Sequence, residues 1–438
     1  MIKETLDSII VGSPGLYNMF SLEIEIEGKS DFETNPTVFH EYTHYLQNMT
    51  TINGFINLDK YIHSFLLSFT KLGANDIDPP MPLNKILQNA LGDRRIENIL
   101  ESRRFGMDYD YTLKEYTFCN TDMDDYVITE CDYLDKYSGE IKKVPFIAID
   151  GKNVPINEIT IKENMALVNS IIGNIQNDLI TEIGINEILE YKHKEYNVIF
   201  DFISHYLPKC NLLKMVYCLC EISLNISLSE QVMGNILRFI QVNHEKMSSM
   251  ETEKILYLVS EFIEYDKMFN SCNKIIHEKA ITKTQELFSL FDPNENQFVD
   301  ILKKFYGFLI NGLDYRSKHK TLYINKFSNE YLQKIASIVG CPIIYFKDLK
   351  ETRFLSETSE SFLDDFIYLH ASLKTFTILY NSVLSTCPFL AYDVCAVRKN
   401  KFCYSDCIKN YESQIYENCL LSNALTCSGV RQLRRKHQ

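Results

Sequence analysis

Five consecutive residues have the types and spacing for metal chemistry: His40, Glu41, Tyr42, Thr43 and His44, within VFHEYTHYLQNMTT (38–51). On an α-helix, residues four apart lie one above the other on the same face. His40 and His44 can then aim both imidazoles at one point and hold a divalent metal at about 2.0–2.1 Å. Glu41 sits about 100° further round the helix. That position is poor for a third ligand and good for a base that reaches a water on the metal. Zinc lowers the pKa of such a water to about 7, and a neighbouring carboxylate can take its proton as the water attacks a carbonyl carbon. Chance alone gives one H-E-x-x-H in about 1–2% of chains of this length and composition, which argues against two histidines sharing a helix face by coincidence.

The helix that must carry the pair has its own start signal. Asn35 is a favoured N-cap and Pro36 is favoured at the first helical position, so a helix is expected from about Pro36 to about Met49. Before it, residues 20–28, FSLEIEIEG, alternate apolar and acidic side chains with period two. They read as a half-exposed, edge-like strand able to align an extended peptide. Residues 54–69, GFINLDKYIHSFLLSF, are amphipathic and helical, and Pro79, Pro80 and Pro82 break the chain before another helical stretch near Leu83–Arg104. Between Asp108 and Pro155 the pieces YTLKEYTF, DYVITECDYL and KKVPFIAID read as short strands, with turns at Ser138-Gly139 and Asp150-Gly151. Beyond Ile156, ITIKENMALVNSIIGNI, LKMVYCLCEISL, VMGNILRFIQVN, EKILYLVSEFIEY and FIYLHASLKTFTILYNSVL carry apolar residues at helical spacing. The expected fold class is α+β and predominantly helical. A catalytic α/β part spans 1–205, with a β-rich insertion at about 108–155. A helical body with a cysteine-rich end spans 206–438.

The run HEYTHYLQ resembles the active-site helix of the HExxH zinc metallopeptidases, the zincins. Its continuation through Thr50, Thr51 and Gly54 resembles bacterial intracellular zincin-like proteins. The resemblance covers residues 20–60 and one later helix. It implies a zincin-like catalytic part, one catalytic Zn2+, His40 and His44 as ligands, and Glu41 as general base. The metzincin continuation is absent, because the residue six after His44 is Thr50. The resemblance is therefore gluzincin-like, and it implies a glutamate ligand from a later helix. Glu163 in IKENMALVNS matches the E-x-x-A pattern, whose small residue one turn on, Ala166, lets helices approach closely. Glu187 in GINEILEY is the alternative and lacks the small residue. The interval from His44 to Glu163 exceeds the commonest gluzincin spacing and contains the β-rich insertion.

The expected activity is hydrolysis of a peptide bond in a specific protein or peptide substrate. Two alternatives stay open: a metal-binding protein that recognises a partner without cleaving it, and a zinc hydrolase of a non-peptide bond. Tyr191, His193 and His205 follow the candidate ligand helix, and spacing promotes none of them as the oxyanion donor. Gln47 is read as lining the cleft or capping a loop.

The formal net charge of −13 argues against nucleic acid as a partner. The basic run RQLRRKHQ (431–438) reads as a solvated terminus. MIKETLDSIIVGSPG has no apolar run of signal-peptide length, and no segment has the roughly 18–20 apolar residues of a membrane span. A soluble, cytoplasmic protein with no membrane partner is expected. The thirteen cysteines are odd in number and scattered, which suits reduced, buried thiols rather than a disulfide framework. Cys387, Cys395, Cys403 and Cys407 could form a second, structural zinc site, but their spacings of eight, eight and four lack tight C-x-x-C knuckles. No glycine-rich phosphate loop is present. Met215, Tyr217, Phe239, Phe262 and His370 read as core residues, as does the apolar run IASIVGCPIIYF (335–346).

Overall fold

The computed structural model describes residues 15–18, 22–27, 36–59, 62, 126–134, 141–149, 152–176, 194–290, 297–319, 329–349, 351–353 and 369–370. Among these the chain is mostly helical with two small sheets, an α+β arrangement. The first sheet has the order β1-β2-β6-β7, from β1 (Gly15–Asn18), β2 (Glu23–Ile26), β6 (Ile343–Phe346) and β7 (Glu351–Arg353). β2 pairs antiparallel with β1 and parallel with β6, so Ile24 lies beside Tyr17 on one side and Ile344 on the other. The second sheet is the antiparallel meander β3 (Ile128–Leu134), β4 (Ile141–Ile149) and β5 (Lys152–Pro155).

Nine helices are bounded among the described residues. They are α1 (Pro36–Thr50), α2 (Glu158–Gln176), α3 (Lys194–Tyr206), α4 (Leu212–Leu224), α5 (Ser229–Met247), α6 (Thr252–Phe262), α7 (Tyr265–Leu290), α8 (Gln297–Lys318) and α9 (Asn329–Val339). Residues 52–59 add a short helical run directly after α1. No helix among the described residues is long and apolar enough to cross a membrane.

α1 is the centre of the packing. Val38, Phe39, Tyr42, Tyr45, Leu46 and Met49 are all buried, so its apolar surface reaches well beyond one stripe. A helix of that kind must be covered on several sides. β1 and β2 cover it on one side, α2 on another and α8 on a third. Tyr45 donates its hydroxyl proton to the carbonyl of Val339 at the end of α9, 3.0 Å away. At its last residue, Thr50, the buried Arg316 of α8 donates from Nε to the carbonyl and from Nη2 to Oγ1, at 3.0 and 2.7 Å. Arg316 also forms a buried ion pair with Glu221 of α4. A helix C-terminus leaves carbonyls without intrahelical donors, and its partial negative charge favours a cation. Arg316 supplies both needs.

Two sequence expectations need correction. A strand does form within the expected run, at Glu23–Ile26, but it is interior rather than edge-like, because β6 pairs along the edge opposite β1. Glu23 is buried, and among the described strands β1 takes an edge position. The run IASIVGCPIIYF is largely core, as expected, and spans two elements. Gly340, at φ 81°, ends α9, and the chain re-enters as β6. A left-handed glycine just past the last turn is a common helix stop. Phe262 is 49% exposed and stacks on Phe239 at the surface instead of entering the core.

Met215 and Tyr217 are fully buried, and His370 is buried. Cys218, Cys220 and Cys341 are buried free thiols, and Cys210 and Cys272 are partly buried free thiols. The strand expected at YTLKEYTF, the turns at 138–139 and 150–151, the helix near 83–104, the basic run 431–438, and Cys387, Cys395, Cys403 and Cys407 lie outside the described residues.

Candidate metal centre

Two helices build the site. α1 begins at Pro36, where the sequence places its start, and carries His40 and His44 one turn apart. α2 starts at an N-cap: the side-chain oxygen of Asn157 accepts the backbone N–H of Thr160 at 2.9 Å. The two helices pack together, and Asn169 of α2 donates to Thr43 Oγ1 of the motif at 3.1 Å. Ala166, the small residue expected beside the ligand, is fully buried. On the far side of α2, Asn164 Oδ1 accepts the backbone N–H of Ile199, which ties α3 in place.

This packing brings Glu163 to the histidines. His40 Nε2 lies 3.0 Å from Glu163 Oε2, His44 Nε2 lies 3.4 Å from Glu163 Oε1, and the two Nε2 atoms are 3.2 Å apart. Four ligands at about 2.0–2.1 Å around a tetrahedral ion stand about 3.3–3.4 Å from one another. Here each imidazole faces a different oxygen of the Glu163 carboxylate, and one ligand atom from each of the three residues lies within 4.8 Å of the other two, close enough to converge on one ion. The donor set of two imidazoles and a carboxylate also suits a divalent first-row ion with one position left for a water or substrate. Among the described residues, this is the group of metal-ligand side chains whose atoms converge.

The electrostatics agree. Burial by itself would raise the Glu163 carboxyl, but the charge of His44 and hydrogen bonds from both histidines outweigh it and hold the carboxyl well below the usual range. Burial would likewise lower His44. The charge and hydrogen bond of Glu163, helped by Glu41 and Gln47, instead push it up to about 9. In the metal-free chain, a proton on His44 thus balances the carboxylate that a metal would otherwise neutralise.

Glu41 is buried, and its charge acts on His44. Its Oε2 accepts the backbone N–H of Tyr17, on edge strand β1, at 2.7 Å. A carboxylate has about four lone-pair sites, so this bond leaves acceptor capacity for a water. Gln47 neither lines a cleft nor caps a loop. It lies between the helices, with Oε1 3.0 Å from His44 Nδ1 and Nε2 3.0 Å from the carbonyl of Lys162. Lys162 in turn donates to Asn48 Oδ1 at 3.1 Å and pairs with Glu158 at 2.6 Å. The sequence signal for Gln47 was its place three residues after His44, which puts it on the same helix face. Nothing in the sequence marked Tyr17 or Lys162.

Glu187, Tyr191 and His193 lie outside the described residues. His205 lies in the last turn of α3, where its ring stacks on Tyr126 at a centroid distance of 4.2 Å, apart from the converging ligand atoms. No family model matches this chain, and neither a curated protein nor a solved structure gives a significant match.

Proposed function

We propose that the protein is a zinc-dependent peptidase of the HExxH, gluzincin-like type, built on a zincin-like catalytic part and acting on a specific protein in a bacterial cytoplasm. One observation carries the reading: Glu163, 123 residues after His40, meets both imidazoles, with one ligand atom from each residue within 4.8 Å of the others. His40, His44 and Glu163 hold the metal in this reading. Zinc, when bound, supplies Lewis acidity that activates water near neutral pH and polarises a carbonyl. Glu41 receives the proton of the attacking water and passes it to the leaving amine. β1 replaces β2 as the strand able to align an extended substrate, because its outer edge faces away from the sheet. Narrow specificity is expected of a peptidase that works among its host's own proteins.

Another observation favours a second reading, a metal-binding protein that recognises a partner and cleaves nothing. Glu41 is tied to a backbone N–H, as a purely structural carboxylate would be. Glu41→Gln separates the two. The peptidase reading expects metal content and fold to persist while new protein termini vanish from treated lysate. A biological activity that survives in the metal-loaded variant would leave the second reading standing and the first refuted.

A further inference from the structure

We propose that Gln47 is the positioning residue of this centre: it selects the ligating tautomer of His44 and registers that ring against the helix bearing Glu163. The inference rests on the metal-site reading above. A glutamine side chain has one carbonyl acceptor and one NH2 donor group, so its two ends cannot exchange roles. The carbonyl of Lys162 only accepts, which fixes the Gln47 NH2 toward α2 at 3.0 Å. Oε1 must then face His44, and it too only accepts, so His44 Nδ1 carries the hydrogen across their 3.0 Å contact. In a neutral imidazole the other nitrogen holds the lone pair. That nitrogen is Nε2, which faces His40 and Glu163.

Metal-bound imidazoles almost always donate their second N–H to an acceptor, which sets the ring plane and raises ligand basicity. Gln47 fills that role and adds a second one. The carbonyl it holds belongs to the residue just before Glu163, so one amide sets the ring and the carboxylate relative to each other. Gln47 is fully buried, so water does not compete for either bond. The adjacent Lys162 ammonium is engaged by Asn48 and Glu158.

The test uses the full-length chain with Zn2+ and Co2+ as probes, comparing wild type, Gln47→Glu, Gln47→Leu and His40→Ala. Gln47→Glu keeps an acceptor toward Nδ1 and loses the donor to Lys162, whereas Gln47→Leu loses both. Gln47→Leu should weaken zinc binding by about 10–100-fold. Gln47→Glu should bind at least as tightly as wild type, although its helix contact is lost, an order that a merely structural role would not produce. Long-range 1H–15N spectra of the zinc-loaded chain should show His44 protonated at Nδ1 in wild type and in Gln47→Glu. Unchanged zinc affinity in Gln47→Leu, with metal lost in His40→Ala, would overturn the inference and leave the metal site standing. Wild type that binds no metal would overturn both. Should Gln47→Leu not fold, the wild-type spectrum decides, and an Nε2–H tautomer at His44 refutes the proposal.

Discussion

Arg316→Met offers a demanding test of how the metal helix is held. Arg316 is 1% exposed, and it joins the carbonyl and hydroxyl of Thr50 to the carboxylate of Glu221, which is 3% exposed. Methionine keeps much of the volume and removes the charge. The Glu221 carboxylate is then buried beside no guanidinium, a change that typically costs about 3–5 kcal/mol. The last carbonyl of α1 also loses its donor, which adds about 1–3 kcal/mol if no water replaces it. Whole domains are stable by only about 5–15 kcal/mol, so the single variant should sit near the edge of unfolding. Adding Glu221→Met removes the orphaned charge, and the double variant should regain most of the loss. Urea titrations followed by circular dichroism would report both steps through the midpoint at constant slope. A loss below about 1 kcal/mol in Arg316→Met would refute the reasoning, because a surface-like pair contributes no more than that. So would a double variant no more stable than the single one.

Gly54→Ala should be strongly destabilising, because a Cβ there would lie 2.3 and 2.4 Å from the carbonyl oxygens of Gln47 and Asn48. Overpacking of this kind costs about 1–3 kcal/mol or more, and a thermal melt with parallel metal analysis would show whether α1 shifts. Metal binding should release a proton, because the His44 pKa of about 9 in the metal-free chain keeps that ring charged at pH 7. Apparent zinc affinity should therefore rise about tenfold per pH unit toward 9 and level off above it, readable by chelator competition at several pH values. An affinity flat between pH 7 and 9 would refute it. Burial pushes the Cys218 thiol up to about 12, with the Glu221 charge adding to the effect. The folded chain then holds this proton more tightly than the unfolded chain, so the thiol's contribution to stability is intact below about pH 9 and lost as pH climbs toward 12. At pH 8 Cys218 should resist alkylation in the native chain and react after denaturation, as peptide mass spectrometry would show.

The elements nearest the chemistry were the most legible in the sequence. Asn35-Pro36 marked the start of α1, the four-residue spacing put His40 and His44 on one face, and E-x-x-A picked out Glu163 from many helical glutamates. These signals are local, and the helices they describe form where the pattern says. The first sheet was not legible for the opposite reason. Its central pairing joins residues 23–26 to 343–346, and no local pattern encodes so distant a partner. The alternation in FSLEIEIEG described the two faces of β2 and left Glu25 and Glu27 partly exposed, but it carried no sign that β6 pairs along the edge. IIYF could not be told from helix by periodicity, since a short apolar run suits either state. Gln47 was visible as a neighbour of His44, but its role depends on the Lys162 carbonyl, which only the packing of α2 against α1 supplies.

The most direct measurement is the metal content per chain by elemental mass spectrometry, after purification without chelators or added metal. About one zinc per chain is expected from a site closed by three protein ligands. It should be lost in His40→Ala, strongly reduced in Glu163→Ala and retained in Glu41→Gln. A chain that holds no transition metal, even after zinc is offered back, would contradict the account and leave His40, His44 and Glu163 as a partly buried ion-pair cluster between two helices.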